Sequence, residues 1–473
     1  MNTLVMKFGG TSVGNADAIH HVARIVRAAQ ADWPHVVVVV SAMSGVTDLL
    51  LKGALTAAEG DGETFKSLAG ELRRKHYDAL DNLAKDLSPS PRWSEARASV
   101  TSLVGEFETL CHAVYVLGEA SARALDAISS LGERMSIHLV ASSLREAGKP
   151  AEPIEATELI VTDKNFQSAN PISELTRSHT QARLLPLLEK GIVPVVTGFI
   201  GATARGVVTT LGRGGSDFSA ALLGVALDAR EVWIWTDVDG VMTADPRIVP
   251  AAQTLPEITF REISELAYYG AKVLHPKTIR PVVERNIALW VKNTFNPSKA
   301  GTRVVSDDTE PHGTIRAVTA IRGQTMLTVE GRGMLGVPGV AARTFGAVAR
   351  THTSVSLISQ ASSEQSICFI VPSPAASLVM DALSDEFRRE LEQQNIDRIW
   401  ALEKVVIITV VGAGMRHTPG IAGQIFSSLG KSRINVVAIA QGSSECSVSL
   451  IVDAQDAENA VREIHKLIEL REA

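Results

Sequence analysis

The sequence predicts an α/β protein whose first region is built on a parallel sheet, followed by an α+β region that contains one small unit twice. The first region begins as strand, helix and strand over residues 4–40, and the valine run 36–40 is typical of a strand covered on both faces. The second region carries a gap-free internal repeat, which indicates duplication of a single unit. At about 100–200 residues per domain, the chain length suits two to four domains.

The N-terminal βαβ pattern places glycine and hydroxyl residues at the ends of two strands. Two glycines follow the first strand at 4–8, apolar spacing predicts a helix over 16–29, and the segment SAMSGVTD at 41–48 follows the second strand. Because ligands of parallel α/β sheets bind at the carboxyl ends of the strands, we expect a binding site at these two turns.

The same alternation returns later in the first region. Residues 49–148 are mostly helical by composition, residues 192–237 read as strand, glycine-rich loop, helix and strand, and residues 288–295 predict a last strand. The segment 296–312 is rich in proline, serine, glycine and aspartate, so we place a domain boundary there. The boundary separates a first domain at 1–300 from a second region at 315–473.

The second region repeats itself at a fixed offset. The segment TVEGRGMLGVPGVA begins at Thr328, and TVVGAGMRHTPGIA begins at Thr409. Each copy reads as strand, Pro-Gly turn, helix, strand, Gln-x-Ser-Ser-Glu turn and strand, so we expect two units at about 325–395 and 405–470. Since neither unit is large enough for a good core alone, we expect the two to pair, within the chain or between chains.

Composition excludes several classes of protein. The formal net charge of −6 gives no electrostatic reason to expect nucleic acid binding. The sequence has no run of about 18 apolar residues and no signal-peptide pattern at its N-terminus, so we expect no membrane span and a cytoplasmic location. The three cysteines are far apart and odd in number, which fits reduced thiols and shows no zinc spacing.

The segment 209–246 contains the densest set of candidate functional residues. Its glycine-rich turn carries Arg213, Ser216 and Asp217, and it precedes an apolar helix whose N-terminus offers N–H groups to an anion. Arginine supplies a planar fork for a carboxylate or a phosphate. A β-rich run then ends in a Thr-Asp pair at 236–237, for which an ordinary turn is the other interpretation.

Three further motifs and a lone lysine admit both a functional and a structural interpretation. Lys7 stands beside two glycines, where it could touch phosphate oxygens or lie at the surface before a turn. Ser41 and Thr47 suit substrate contacts, although hydroxyl residues in this segment also suit helix caps. Glu133 suits a substrate ammonium group, or the positive end of a helix dipole. Lys272 in GAKVLHP suits a phosphate, or is simply solvated.

Signatures of other enzyme classes are absent from the sequence. Residues 331–336 fit GxGxxG after a strand, but no acidic residue follows about 20 positions later, so we do not expect a dinucleotide site. The P-loop Gly-Lys-Ser/Thr and the His-Arg-Asp and Asp-Phe-Gly motifs of protein kinases do not occur. His20-His21 has no further ligand cluster, so we expect no metal site built from protein side chains.

The chain resembles the aspartokinases through six motifs in the family's order: KFGGTSVG, SAMSGVTD, GERMS, TTLGRGGSDFSA, WTDVDGV-TADPR and GAKVLHP. The resemblance covers nearly the whole chain. It implies an amino-acid-kinase fold, a three-layer sandwich with a parallel sheet, and then two α+β ferredoxin-like ACT domains that correspond to the repeat. The phrases VKNT-NP and IAQGSSE most resemble the kinase part of bifunctional aspartokinase–homoserine dehydrogenases. We expect a monofunctional enzyme, because the chain has no room for a dehydrogenase domain.

The resemblance also implies roles for individual residues. Lys7 would contact the transferring phosphoryl group, and Asp217 would orient the cationic groups around it. The residues implied in binding L-aspartate are Ser41, Thr47, Glu133, Arg213 and Ser216. The residues implied in binding ATP are Lys7, Phe8, Gly9, Gly10, Thr236, Asp237, Arg247 and Lys272. Many relatives have tyrosine where this chain has Met242, and methionine lacks the hydrogen bond of a phenol.

The implied reaction converts ATP and L-aspartate to ADP and 4-phospho-L-aspartate, with Mg²⁺ accompanying ATP. The substrate carboxylate has a reference pKa of ~3.9 and is already ionised at neutral pH, so no general base is needed. The product would enter the synthesis of aspartate-family amino acids such as lysine and threonine. A kinase for another acidic amino acid is the alternative enzyme, and a catalytically silent amino-acid sensor is the alternative of a different class.

The repeat region indicates control by an amino-acid end product. Gln360 and Gln441 occupy equivalent turns, and a side-chain amide can donate to a carboxylate and accept from an ammonium group. Two structural turn glutamines are the other interpretation. The resemblance favours threonine as the effector, with lysine second, and adds Asn435 to the effector-binding residues. It also implies a homodimer through the ACT domains, or a tetramer.

Overall fold

The computed structural model describes most of the chain, in these ranges: 2–85, 91–268, 274, 276–306, 314–334, 337–360, 365–415, 418–441 and 446–468. The chain forms two compact units. The first comprises Met1–Val241, Thr254–Phe260 and Val273–Asp307, and the second comprises Met242–Gln253, Arg261–Lys272 and Asp308–Ala473. None of the helices within the described ranges is long and apolar enough to cross a bilayer.

The strands of the first unit are β1 (Thr3–Phe8), β2 (His35–Val40), β3 (Ala151–Ile154), β4 (Val161–Thr162), β5 (Val193–Thr197), β6 (Ile200–Thr203), β7 (Val208–Thr210), β8 (Glu231–Thr236), β9 (Glu257–Thr259), β10 (Ala288–Asn293) and β11 (Thr302–Val305). Its main sheet has the order β3-β5-β2-β1-β8-β10-β11-β9, and neighbours are parallel except for β10 and β11. Strands β4, β6 and β7 form a small separate sheet. The predicted α/β fold with a parallel-rich sheet is confirmed.

The helices up to residue 306 are α1 (Ala16–Ala29), α2 (Val46–Ala58), α3 (Thr64–Leu83), α4 (Pro91–Leu117), α5 (Ala122–Ser129), α6 (Leu131–Glu146), α7 (Ser173–Glu189), α8 (Gly215–Ala226), α9 (Phe260–Tyr268) and α10 (Pro276–Glu284). Helices α1 and α6 contact each other and the sheet, whereas α7, α8 and α10 form a second group on the sheet. The three layers follow from strands that are apolar on both faces, since all of β1 and nearly all of β2 are buried.

Local sequence explains why α1 begins and ends as predicted. The side chain of Asn15 accepts a hydrogen bond from the Ala18 N–H at 2.9 Å, which caps the first turn. Asp17 lies in the first turn and Arg27 in the last, so each charge interacts favourably with the nearer end of the helix dipole. The buried residues recur at helical spacing, which confirms the prediction of a helix over 16–29.

The second unit contains an antiparallel sheet with helices packed against it. Its strands are β12 (Ala317–Glu330), β13 (Leu357–Gln360), β14 (Ser366–Pro372), β15 (Arg398–Val411), β16 (Ala438–Ala440) and β17 (Ser447–Asp453), in the order β13-β14-β12-β15-β17-β16. Its further helices are α11 (Val340–Arg350), α12 (Ala376–Glu386), α13 (Arg388–Glu392), α14 (Ile421–Lys431) and α15 (Ala457–His465).

The two repeats share their longest strands. The first half of β12 pairs with the second half of β15, as in Val318 opposite Val410, and the second half of β12 pairs with the first half of β15, as in Leu327 opposite Ala401. A register shift separates the two halves. One strand of each repeat's sheet therefore continues into the other repeat. The expectation that the repeats pair is confirmed, and the pairing is within the chain.

The helices α2 and α4 of the first unit are closely packed at a glycine. A Cβ atom added at Gly53 would lie 2.5 Å from Cζ of Phe107, whose ring is fully buried. By contrast, a Cβ atom added at Gly70 on α3 would meet nothing within 4 Å. The two glycines therefore separate the effect of helix propensity from the effect of packing.

We expect Gly53→Ala to lower the thermal unfolding midpoint and Gly70→Ala to raise it. Overpacking costs about 1–3 kcal/mol, which outweighs the roughly 0.5–1 kcal/mol that alanine gains over glycine in a helix. Differential scanning calorimetry of both variants against the unmodified chain measures the shifts. Equal increases in both variants would show that the bundle tolerates a methyl group beside Phe107.

Candidate active site

A cavity of about 630 Å³ in the first unit is lined by all five residues that the sequence analysis placed in substrate binding. It lies where β1, β2 and β7 end and where α2, α6 and α8 begin, as expected for a parallel α/β sheet. The predicted site residues that line it are Lys7, Gly10, Ser41, Thr47, Glu133, Arg213, Ser216 and Asp217.

Lys7 and Asp217 form an ion pair at the wall of this cavity. The distance from Lys7 Nζ to Asp217 Oδ1 is 2.6 Å, and the two side chains are 11% and 13% exposed. Lys7 lies near the end of β1 and Asp217 in the first turn of α8, so two rigid elements hold the pair. The pair supplies a positioned ammonium group beside a helix N-terminus, and such a site suits an anion.

Glu133 contributes a buried carboxyl group to the cavity wall. It lies in the first turn of α6, is 3% exposed, and its Oε2 has no hydrogen-bond partner among the described residues. Burial raises the pKa of Glu133 to about 8, against hydrogen bonds from the Ala42 and Glu133 backbone and the charge of Lys7. A buried carboxyl group with a free oxygen on a cavity suits a cationic group of a ligand.

The glycine-rich turn between β7 and α8 forms another wall. Gly212 and Gly214 have φ angles of 77° and 73°, a region that side chains with a Cβ rarely adopt. A Cβ atom added at Gly215 would lie 3.1 Å from the Cα of Phe199, so the turn packs closely against that residue. The turn presents the exposed side chain of Arg213 on the cavity wall.

The loop after β2 is held against the loop after β1 by backbone hydrogen bonds. The Ser41 N–H donates to the Phe8 carbonyl at 3.1 Å, and the Ser44 N–H donates to the Gly10 carbonyl at 3.2 Å. Gly45, with a φ angle of 78°, then begins α2. Ser41 and Thr47 are both half-buried on the cavity wall.

The residues expected to bind ATP are not all gathered by this cavity. Thr236 ends β8, the strand next to β1 in the sheet, and Asp237 follows it; neither residue lines the cavity. The Phe8 ring is buried and stacks on Trp235 at 5.9 Å, so its side chain belongs to the core. Arg247 lies in the second unit, where its exposed side chain pairs with Asp245 at 2.7 Å.

Two further nucleotide positions, Lys272 and Gly9, stay predictions. Lys272 lies outside the described residues. Gly9 donates its N–H to the Trp235 carbonyl at 3.2 Å. Met242, which lacks the hydrogen bond of a phenol, begins the first segment of the second unit.

The expected effector residues lie in the second unit. Gln360 ends β13 and lines a cavity of about 340 Å³ together with Met334, Pro338 and Ile367. Asn435 and Gln441 flank β16 and are exposed. The Ser-Ser-Glu parts of both repeated turns lie outside the described residues.

Several residues that shape the first cavity were not identified from the sequence. Asp126 is buried on its wall, and Gln167 and Phe199 line it with φ angles of 68°. Left-handed backbone at residues other than glycine leaves no compositional signal. The one acidic residue of α5, seven positions before Glu133, was the available hint.

Side chains of the described residues form no group of three or more histidine, cysteine, aspartate or glutamate residues that could hold a metal ion. In the cavity, the carboxylate nearest to Lys7 is already paired with it. Because the cavity offers so few uncommitted carboxylates, it suits a cation that takes most of its ligands from another bound molecule and from water.

Comparison with known proteins agrees with the fold. The amino acid kinase family matches residues 2–293, and the ACT domain family matches residues 327–387 and 408–467. The chain is 35% identical to bifunctional aspartokinase/homoserine dehydrogenase 1 of Zea mays over 98% of its own length and 50% of that protein. The chain thus spans about half the length of the curated relatives of this type that it matches.

Shorter relatives are matched from end to end. Lysine-sensitive aspartokinase 3 of Escherichia coli is 35% identical, with 98% of both chains covered. A crystal structure of E. coli aspartokinase III in complex with lysine and aspartate has a TM-score of 0.80 and 33% identity, with 99% of this chain and 100% of that chain covered. Aspartate kinase of Clostridium acetobutylicum has a TM-score of 0.78 at 26% identity, with 98% and 100% covered. The chain therefore belongs to the amino acid kinase family and, within it, to the aspartokinases that carry ACT domains.

Proposed function

We propose that this chain transfers the γ-phosphoryl group of ATP to the side-chain carboxylate of L-aspartate, which yields ADP and 4-phospho-L-aspartate. The observation that carries the proposal is the composition of one cavity wall: a buried carboxyl group with a free oxygen (Glu133), an arginine (Arg213) and a buried lysine (Lys7). These groups match the ammonium, the carboxylates and the phosphate that must meet. An E. coli relative crystallised with aspartate and ADP supports the same ligands.

The recognition of the amino acid depends on opposite charges at its two ends. Glu133 would bind the α-ammonium group, and Arg213, with Ser216 at the N-terminus of α8, would bind the α-carboxylate. Ser41 and Thr47 would donate hydroxyl hydrogen bonds. N-acetylglutamate lacks an ammonium group and would leave Glu133 without a partner in a dry site, so a free amino acid is favoured.

The chemical step needs electrostatic stabilisation more than proton transfer. The nucleophile is a carboxylate that is ionised at neutral pH, and it approaches a polyanion. Like charges at close range in a partly dry site oppose each other by several kcal/mol. Lys7 and the N–H groups at the start of α8 would offset this repulsion and stabilise charge on the phosphoryl group in flight. Asp217 would hold Lys7 in position through the ion pair and would not act as a base.

ATP is expected to arrive with Mg²⁺, because magnesium neutralises the charge that develops on the phosphate oxygens. The residues around Lys7 would suit a magnesium ion that keeps most of its ligands from ATP and water, and Asp217, the carboxylate paired with Lys7, would be the protein group available to it. The nucleotide would also contact Thr236, Asp237, Arg247 and Lys272 and the backbone at 8–10.

Regulation by an amino acid is proposed for the second unit. The cavity beside Gln360 and the two ACT domain matches support an effector site there, and an E. coli relative described as lysine-sensitive supports an amino acid as the effector. Threonine is favoured and lysine is second.

We also propose a homodimer or tetramer formed through the ACT domains, a cytoplasmic location, and domains at 1–300 and 315–473.

The proposed activity is tested by ADP release from ATP that depends on L-aspartate, with glutamate and N-acetylglutamate as rival substrates. We expect turnover with aspartate and a decrease of at least ~100-fold in kcat for Lys7→Ala, the size of a lost transition-state donor. The surface variant Lys66→Ala, whose side chain is 60% exposed, serves as the control with unchanged kcat. Normal turnover by Lys7→Ala would remove the lysine from the mechanism.

The raised pKa of Glu133 predicts a pH dependence of aspartate capture. Below its pKa of about 8 the empty site holds mostly the neutral acid, which cannot pair with an ammonium group, so kcat/KM for aspartate should rise with pH up to about 8. The slope should approach tenfold per pH unit. Glu133→Gln should flatten this limb and raise the KM for aspartate by at least ~10-fold.

The pH dependence of KM for ATP in the same enzymes is the internal control, because nucleotide binding does not use Glu133. A Glu133→Gln enzyme that keeps the full rise of kcat/KM for aspartate would assign that rise to another group.

Inhibition by amino acids is predicted at millimolar concentration. We expect threonine, or lysine, to lower the rate, and Gln360→Ala to raise the half-inhibiting concentration by ~10-fold without changing kcat, since an amide that binds the effector is lost. The repeat-matched variant Gln441→Ala shows whether the second repeat contributes. If neither amino acid, alone or combined, changes the rate, effector control of this enzyme is wrong.

A further inference from the structure

Asp126 is a buried carboxylate that gathers three donor groups on the wall of the active-site cavity. It lies on α5 and is 1% exposed. Its Oδ1 accepts from the Thr210 hydroxyl at 2.8 Å, its Oδ2 accepts from the Thr210 N–H at 3.0 Å, and both oxygens lie 3.0 Å from the Gln167 N–H. These hydrogen bonds hold the carboxylate in one orientation, and they also fix the positions of its three donor groups.

The donors belong to two separate loops. Thr210 ends β7 and leads directly into the glycine-rich turn that carries Arg213, whereas Gln167 lies in the turn before α7. The two loops also touch each other: the Ala169 N–H donates to the Thr210 carbonyl at 2.9 Å. A Cβ atom added at Gly212 would lie only 3.0 Å from the Gln167 carbonyl oxygen. Asp126 therefore joins the loops at a point where they are closely packed.

Both loops hold backbone conformations that need support from elsewhere. Gln167 has a φ angle of 68° and Gly212 one of 77°. A left-handed conformation is unfavourable for a residue other than glycine and persists only where the surroundings hold it. The hydrogen bond from the Gln167 N–H to Asp126 is such a restraint, at the residue that carries the unfavourable angle.

The position of Asp126 along the chain connects these loops with Glu133. The Ser130 N–H donates to the Asp126 carbonyl at 3.1 Å, and Ser130 is the single residue between α5 and α6, whose first turn carries Glu133. The same backbone segment thus bears the group proposed for the substrate ammonium and the carboxylate that fixes the turn of Arg213.

We propose that Asp126 is a positioning residue for substrate specificity: it sets the separation between Glu133 and the Arg213 turn and thereby makes the site select an α-amino acid with a free α-carboxylate. The inference rests on the proposed function, because it assigns Arg213 to that carboxylate. Asparagine cannot replace Asp126, since its amide has one acceptor oxygen, and its NH₂ group would face the N–H of Thr210 or Gln167.

The test compares Asp126→Asn with the unmodified enzyme in steady-state assays with L-aspartate and with L-aspartate α-amide, which lacks the charged α-carboxylate. We expect the KM for aspartate to rise at least ~10-fold and the KM for ATP to stay within ~2-fold. The preference for aspartate over the α-amide, measured as the ratio of their kcat/KM values, should fall by the same factor as kcat/KM for aspartate. If Asp126 had only a structural role, the variant would lower kcat/KM for aspartate, for the α-amide and for ATP by similar factors.

The matched control is Asp163→Asn. Asp163 also accepts three hydrogen bonds, from the N–H groups of Asn165 and Asn170 at 3.1 and 3.0 Å and from the Asn170 amide at 2.9 Å, in the same turn as Gln167. It is not among the residues that line the cavity. Unchanged substrate preference is expected for this variant.

A second variant keeps the test decisive if Asp126→Asn does not fold. Thr210→Val keeps the shape of the side chain and the N–H but removes the hydroxyl donor, so we expect the same selective change at ~3–10-fold. Combination with Arg213→Ala should abolish the effect of either variant on the α-amide ratio, because the group that they position is gone.

Two failures can be told apart. An unmodified enzyme that shows no aspartate-dependent ADP release overturns the proposed function. An active unmodified enzyme with Asp126→Asn or Thr210→Val variants that keep the normal preference for aspartate over its α-amide overturns the role of Asp126 alone.

Discussion

Uncompensated charge is costly inside a protein, and the cavity of the first unit is arranged around this constraint. Three carboxyl groups sit at its wall with little or no exposure to water. Asp217 is compensated by Lys7 at 2.6 Å, and Asp126 by three donors. Glu133 keeps one oxygen without a partner in the described part of the chain, and burial raises its pKa to about 8. Because the charge of Glu133 is incompletely compensated, an incoming ammonium group gains more free energy by pairing with Glu133 than with either of the other two carboxyl groups.

The sequence predicts those parts of this arrangement that depend on local pattern. Helix α1 coincides with the apolar spacing at 16–29, and β2 with the valine run, because periodicity and burial act on neighbours along the chain. The glycine-rich turn and Lys7 were identified because glycine and lysine beside a strand end carry a chemical meaning. Asp126 was not, since its donors lie 41 and 84 positions away and only the folded chain brings them together.

The repeat shows the same division between local and distant information. Self-similarity indicated two units and their pairing, but it did not indicate that β12 and β15 run through both of them. A register shift between residues 321 and 326 of β12 separates the half that pairs with the end of β15 from the half that pairs with its beginning, within one six-stranded sheet. Hydrophobic alternation alone is compatible with either arrangement, so the pairing of halves becomes visible only in three dimensions.

Two segments that precede the predicted domain boundary belong to the second unit, and their polar contacts explain why. In the first, the Thr243 hydroxyl lies 2.9 Å from His465 Nε2 of α15. In the second, Glu262 accepts from the Ala413 N–H, and Glu265 accepts from the Ser447 hydroxyl, both at 2.8 Å. Both segments are short, so neither carries enough apolar surface to be assigned from pattern.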